Sequence, residues 1–138
     1  MAANTDPIFI GQISGKITEL SDTTETVVFA GDATESTRVD VLAVSTDDTA
    51  DKDLVILLHD GTASKKAATV KIPLTSGMTN AIASVNVLGS AMLAAHVQAD
   101  AAGNTYLNLP PGWSIRASEA AAPTAGKKMW VFARGGKY

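Results

Sequence analysis

The chain has 138 residues, no cysteine and a formal net charge of −3, with 46% hydrophobic and 18% charged residues. This length favours one domain with its own hydrophobic core. The lack of cysteine excludes disulfides, cysteine nucleophiles and cysteine-ligated metals. The acidic balance argues against a nucleic-acid-binding protein, which usually carries a basic patch.

The first half of the chain is typical of short strands separated by turns. Residues 1–7 are predicted to form a flexible N-terminal arm, and a strand over Ile8–Ile17 follows, interrupted by two glycines that favour a bulge. The pair Asp60-Gly61 is a tight-turn signal, so the strands on either side of it should form a hairpin. Further strands are predicted at Thr26–Ala30, Arg38–Ser45, Leu54–His59 and Ala67–Ile72.

The second half contains one irregular stretch, residues 75–103. Its apolar residues recur near helical spacing, but an asparagine and a glycine weaken a long helix. We therefore expect a short strand near Ser84–Val87 and a single turn of helix near Ser90–Ala95. The last three strands are predicted at Tyr106–Leu109, Trp113–Ser118 and Lys127–Ala133, each bounded by Gly, Pro or Asn.

The predicted fold class is all-β: an antiparallel sandwich of about eight short strands in a single domain over residues 1–138, with less than about 15% helix. Alternation along Arg38–Ser45 places Val39, Val41 and Ala43 on one face and the residues between them on the other. Trp130 is also expected in the core, because aromatic side chains bury large areas. The other residues predicted to form most of the core, including two of those in Arg38–Ser45, are Val39, Val41, Leu54, Ile56, Val70, Ile115, Val131 and Phe132.

Three patterns invite a chemical interpretation, and each is better explained by structure. Asp47–Asp53 gathers four carboxylates, but the spacing does not fit a calcium loop and Lys52 lies inside it, so a solvated turn is favoured. The only histidines, His59 and His96, lack neighbours with catalytic or metal-ligand spacing. Gly11–Lys16 has the wrong spacing for a phosphate loop and lies in a strand context. We predict no catalytic residue, cofactor or metal.

Two features leave a binding role open. Lys127, Lys128, Arg134 and Lys137 concentrate positive charge near the C-terminus, where they either flank turns or form a basic edge for an acidic partner. Trp113 follows Pro-Pro-Gly and is either a core residue or an interface hot spot.

The order of these segments resembles that of the small capsid decoration, or cement, proteins of tailed bacteriophages. The resemblance implies a jelly-roll sandwich that clamps neighbouring major capsid subunits on the outside of the virion, without catalytic residues. Residues 81–98 match the pattern least. The segments that carry the resemblance are Ser36–Thr46, Leu54–Gly61, Val70–Pro73, Asp100–Arg116 and Ala125–Tyr138.

These considerations define the expected partners. Met1–Pro7 lacks the layout of a signal peptide, and no apolar run approaches the about 20 residues that span a bilayer, so we expect synthesis in the host cytoplasm and no membrane binding. The major capsid protein is the implied partner, and open sheet edges favour a homodimer over a trimer. Residues 1–7 and 134–138 are expected to be mobile and to reach the capsid. The predicted partner-binding residues are Pro7, Trp113, Arg134, Lys137 and Tyr138.

Two other classes of protein compete with this interpretation. A receptor- or carbohydrate-binding β module of a phage tail or fibre needs exposed aromatic residues in a groove, for which Tyr106, Trp113 and Tyr138 are the candidates. A metalloenzyme of the cupin type needs a cluster of histidine and glutamate ligands, and two isolated histidines do not supply it.

Overall fold

The computed structural model of the chain describes residues 12–137, which form β-strands and one short 3-10 turn. This range contains no α-helix, in agreement with the predicted low helix content. The predicted N-terminal arm lies outside the described residues. The elements are β1 (Gln12–Leu20), β2 (Thr26–Ala30), β3 (Thr37–Thr46), β4 (Lys52–His59), β5 (Ser64–Ile72), β6 (Val85–Asn86), the 3-10 turn (Ala91–Leu93), β7 (Gln98–Ala99), β8 (Thr105–Leu109), β9 (Ser114–Glu119) and β10 (Met129–Lys137).

The strands form two antiparallel sheets. The first sheet has the order β1-β10-β3-β8-β7, with β6 also paired to β3, and the second has the order β2-β9-β4-β5. The inward-facing side chains of both sheets make one hydrophobic cluster. The chain is therefore an all-β sandwich of two antiparallel sheets, as the spacing of strands and turns predicted.

Local sequence signals set most element boundaries. The hairpin between β4 and β5 turns at Asp60, whose Oδ1 accepts hydrogen bonds from the N–H groups of Thr62 and Ala63. Gly61 follows with φ of 96°, a conformation that favours glycine. In the irregular stretch, β6 and the 3-10 turn confirm the predicted short strand and single helical turn. The Ser90 hydroxyl caps that turn by accepting from the Met92 N–H.

Six of the eight predicted aliphatic and aromatic core residues are buried. The predictions for Val41 and Phe132 are wrong, and so is the prediction that Trp130 lies in the core. Along β10, the side chains of Met129, Val131 and Ala133 are buried, while Trp130 is half-buried and Phe132 is 38% exposed. Because side chains alternate along a strand, Trp130 and Phe132 face outward. The confirmed core residues are Val39, Leu54, Ile56, Val70, Ile115 and Val131.

Val41 is the other wrong core residue, because a β-bulge changes the facing of β3. Arg134 pairs with Val41 and Gly135 pairs with Val39, so Asp40 has no partner on β10. The extra residue places Val39 on the buried face together with Leu42, while Val41 faces outward and is only half-buried. Strict alternation along β3 therefore fails at one position.

Gly135 permits this close approach of β10 to β3. A Cβ atom at Gly135 would overlap the carbonyl oxygen of Arg38 and would lie 2.9 Å from the Cα of Val39. Only a residue without a side chain fits there, so the bulge and the glycine depend on each other.

Candidate functional site

The outward face of the first sheet carries a cluster of apolar side chains. Ile17 on β1 lies opposite Phe132 on β10, which lies opposite Ala43 on β3. Ile17 is 71% exposed although it is aliphatic. Trp130 extends this row by one outward position along β10. An apolar surface on a sheet that already has a complete core on its other side is a candidate interaction site.

A loop deepens this surface into a groove. Met78 lies in the connection between β5 and β6 and is 47% exposed. Together with the sheet it borders a groove of about 410 Å³ with mainly apolar walls. We call this groove and its rim the apolar face. Its lining residues are Ile17, Ala43, Val44, Ser45, Met78, Ser84, Trp130 and Phe132.

Polar side chains border the apolar face at the end of β1. Glu19 Oε1 lies 2.9 Å from Lys128 Nζ, and both side chains are about half exposed. Arg134 is exposed on β10, two residues beyond Phe132. A rim of this kind is typical of interfaces, where polar residues surround an apolar centre.

The predicted partner-binding residues do not converge on one site. Pro7 and Tyr138 lie outside the described residues. Trp113 is half-buried, and its carbonyl accepts a hydrogen bond from the Gly31 N–H at 2.9 Å. Its side chain borders a cavity of about 300 Å³ beside the β4–β5 hairpin. Arg134 instead lies on the outward side of the first sheet.

The expected mobile basic tail is wrong for residues 134–137. These residues belong to β10 and pair with β1 on one side and β3 on the other. Lys137 Nζ lies 3.6 Å from Asp32 Oδ1 and 4.0 Å from Glu35 Oε2, so its charge is balanced within the chain. Hydrogen bonds from the N–H groups of Thr34 and Glu35 lower the pKa of Asp32 to about 2. The segment is a structural strand and not an arm.

The acidic segment Asp47–Asp53 is only partly the solvated turn that was predicted. Asp51 and Asp53 are exposed, but Asp48 is fully buried. Its carboxylate accepts hydrogen bonds from the Thr124 hydroxyl at 2.7 Å and from the N–H of Thr124 at 2.9 Å. Burial acts to raise the pKa of Asp48, but these bonds and one from the Ala50 N–H outweigh it and hold the pKa below its usual value.

This carboxylate therefore has a structural role. Asp48 fastens the segment before β10 to the end of β3, and Asp47 adds a second link by accepting from the Lys128 N–H at 2.8 Å. Sequence reasoning missed this pairing because 76 residues separate Asp48 from Thr124. Between residues 12 and 137, no group of three or more His, Cys, Asp or Glu side chains is arranged to hold a metal ion.

Glu119 is the buried carboxyl group that the sequence analysis did not single out. It lies at the end of β9 on the inward face, opposite Leu54, and is 2% exposed. Neither carboxyl oxygen has a hydrogen-bond partner within residues 12–137. Burial, followed by the negative charge of Asp48, raises the pKa of Glu119 to about 7.

The two histidines belong to different segments of the chain. His59 ends β4 at the hairpin, whereas His96 follows the 3-10 turn. The Nδ1 atoms of both are buried and have no hydrogen-bond partner in the described part of the chain. Lys16, from the segment that superficially resembled a phosphate loop, lies in β1 and donates from Nζ to the carbonyl of Val27 at 2.9 Å.

The sequence matches no protein-family model and no curated protein. Between residues 12 and 137 there is no helix long and apolar enough to cross a membrane. The assignment of function therefore depends on the surfaces described above and on the resemblance to cement proteins.

The apolar face was missed, although the sequence contains a signal for it. Ile13 and Ile17 are spaced by four in a strand and share one face, and Trp130 and Phe132 are spaced by two. The residues between the members of each pair face the other side of the sheet. Strict alternation along the last strand would therefore have placed Phe132 on the face opposite to Val131.

Proposed function

We propose that this chain is a structural protein of a bacteriophage virion: a cement protein that binds the outer surface of an icosahedral capsid and stabilises contacts between major capsid subunits. The observation that carries the proposal is the apolar face, which a protein acting alone in water has no evident reason to expose. The resemblance of the sequence to cement proteins supplies the identity of the partner.

The strand order supports the finer assignment of a jelly-roll fold. Eight strands have five or more residues, and they alternate between the two sheets except for the β4–β5 hairpin within the second. Without the short strands β6 and β7, the first sheet has the order β1-β10-β3-β8 and the second β2-β9-β4-β5. If the eight longer strands are counted 1 to 8 along the chain, these orders are 1-8-3-6 and 2-7-4-5. Two interleaved four-stranded sheets of this kind are what a jelly roll requires.

The proposed mechanism is binding without chemistry. The apolar face binds a capsid surface that forms where two subunits meet. That surface exists only in the assembled shell, so binding occurs only there. Binding then stabilises the assembled state by the free energy of that contact. Because many copies act on one shell, a modest affinity for each copy is sufficient.

The first test is the presence of the chain in particles. Mass spectrometry of purified phage particles from the source strain should detect the chain in many copies, and antibodies against it should label intact particles on the outside. Absence of the chain from purified virions would reject the proposal.

A second test addresses the apolar face. Phe132→Lys should weaken binding to particles stripped of this protein by at least about tenfold, because a central aromatic residue in an interface contributes about 2 kcal/mol or more. Met92→Lys is the matched control, because Met92 is 64% exposed but lies on the 3-10 turn that packs against β5. Equal binding by both variants, with unchanged circular dichroism, would assign the contact to another surface.

One observation favours a second function, a receptor- or carbohydrate-binding module. The cavity beside Trp113 combines apolar walls with nearby polar side chains, including Asp60, Lys65 and His96. An aromatic wall with a few polar groups is typical of small-ligand sites. Saturable changes in tryptophan fluorescence on titration with oligosaccharides, lost in Trp113→Ala, would support this function in place of the capsid role.

A further inference from the structure

In the described part of the chain, β1 is an edge strand of the first sheet. Among residues 12–137, β10 is its only hydrogen-bonded neighbour strand. Its first six residues, 12–17, are all exposed. Ile13 is 73% exposed and Ile17 is 71% exposed, and both point to the side of the apolar face. An exposed edge with apolar side chains is a template for another strand.

The usual protections of an edge strand are weak here. Gln12–Leu20 contains no proline, and its one lysine, Lys16, is turned back so that Nζ donates to the carbonyl of Val27 on β2. The lysine is thus held against the second sheet of the same chain. The outward side of β1 then carries Ile13, Gly15 and Ile17, followed by Glu19 near the end of the strand.

The sequence of β1 is complementary to itself in the antiparallel direction. If two copies of β1 pair about a twofold axis through Gly15, Ile13 of each copy lies opposite Ile17 of the other. Ser14 then lies opposite Lys16. Two apolar pairs form on one face and no like charges meet, which is the pattern that stabilises antiparallel pairs.

The next two registers towards the C-terminal end of β1 lack these advantages. A twofold axis perpendicular to the sheet must lie midway between one residue and the same residue of the second copy, since only then do paired side chains share a face. We name each axis by that residue. An axis through Lys16 places the two lysines opposite each other and Ile13 opposite Glu19. An axis through Ile17 forms one apolar pair and places Leu20, which is buried, opposite Ser14.

We propose that two copies of this chain associate through antiparallel pairing of β1 with β1 about a twofold axis at Gly15, joining their first sheets into one continuous sheet. The occupant of this edge is a second copy because the pairing is isologous: each copy supplies the same strand and both apolar partners. The inference goes beyond the proposed capsid role and does not rest on it.

The lack of cysteine makes a direct test possible. In Gly15→Cys the two thiols would lie on directly opposite residues, whose Cα atoms are about 4.5–5.5 Å apart and within the range for a disulfide. The site tolerates the change, because a Cβ at Gly15 would have its nearest contact at 3.5 Å, the carbonyl oxygen of Ala133. Mild oxidation should convert most of this variant to a covalent dimer.

Two further variants fix the register. Ile13→Cys alone and Ile17→Cys alone should not cross-link, because identical positions are then about four residues, or 13 Å, apart along the strands. An equal mixture of the two should cross-link. Cross-linking of either variant alone, or none from the mixture, would refute the register through Gly15.

The association itself is tested by sedimentation of the unmodified chain. We expect a dimer, and in Ile17→Glu a dissociation constant at least about tenfold higher, because a charge would replace an apolar contact worth about 1.4 kcal/mol or more. Met92→Glu, at an exposed apolar residue off this edge, should leave the dimer unchanged. A monomer at all concentrations, or a dimer that Ile17→Glu does not weaken, would overturn the proposal.

Discussion

Replacement of Glu119 by glutamine should stabilise the protein at alkaline pH. The carboxyl group of Glu119 lies at the inner end of β9 without a hydrogen-bond partner in the described residues, and it must ionise near Asp48. Burial is the main cause of its raised pKa, Asp48 and Asp22 add to it, and Lys52 opposes it. Glutamine has nearly the same shape and no charge to bury.

The magnitude follows from the linkage between pKa and stability. A pKa raised from 4.5 to about 7 means that the folded state holds the proton more tightly than the unfolded state. The contribution of neutral Glu119 to the free energy of unfolding is therefore fully present below pH 4.5. It is lost as the pH rises through about 7. The full shift corresponds to about 3 kcal/mol. Water entry on ionisation reduces this, so we expect a loss of about 1–2 kcal/mol.

The assay is urea unfolding of the wild type and Glu119→Gln at pH 4.5, 6 and 8. The two proteins should agree within about 0.5 kcal/mol at pH 4.5, and the variant should be more stable by about 1–2 kcal/mol at pH 8. Asp53→Asn, at an exposed carboxylate of the adjacent strand β4, should show no such gain. A difference between wild type and Glu119→Gln that does not change with pH would refute the reasoning.

The remaining predictions concern packing and the Asp48 link, each measured by urea unfolding. Ile56→Ala should cost about 2–4 kcal/mol because Ile56 is fully buried, whereas Val41→Ala should cost less than about 1 kcal/mol; equal costs would contradict the bulge in β3. Gly135→Ala should cost at least about 2 kcal/mol because its Cβ meets the β3 backbone, and an unchanged midpoint would show that the strands separate freely. Thr124→Val should cost about 1–2 kcal/mol by removing the hydroxyl donor to Asp48, and a neutral result would mean that another donor replaces it.

Strand positions and turns were predictable because their causes are local. The Asp60-Gly61 turn is specified by a side chain that bonds the backbone two and three residues ahead and by a glycine with positive φ. Alternation within a strand is equally local, and it placed Ile56 and Ile115 correctly in the core. Such signals need no knowledge of which strands become neighbours.

The features that were missed depend on contacts between distant segments. The bulge at Asp40 exists because Gly135, far along the chain, lets β10 approach β3. The burial of Asp48 similarly depends on Thr124. A single sequence does not show these pairings, so the solvated acidic loop and the mobile basic tail were both reasonable local interpretations and both partly or wholly wrong.

The candidate site depended on a distinction that composition does not make. Apolar side chains on both faces of β10 are compatible with a strand covered on both sides or with one exposed apolar face. The sandwich decides between them, since the second sheet covers the face of Val131 and leaves Phe132 38% exposed on the other face. The sequence analysis placed Trp130 and Phe132 in the core, whereas both face outward in the structure.

The two proposed contacts are geometrically compatible, and each strengthens the other. A twofold axis perpendicular to the first sheet keeps the outward faces of both copies on the same side. Ile17 of each copy borders its own apolar face and lies beside Ile13 of the second copy, so the two grooves become neighbours across the joined edge. A dimer then presents two apolar faces in a fixed relation, and a surface that repeats across a capsid subunit boundary can engage both. If each face binds only weakly, linkage of the two raises the total affinity without any new contact.

Ile13 lies outside the groove but within the dimer edge. Ile13→Lys should therefore reduce binding to stripped particles through loss of the dimer alone. Binding that persists at full strength with a monomeric variant would show that one apolar face is sufficient.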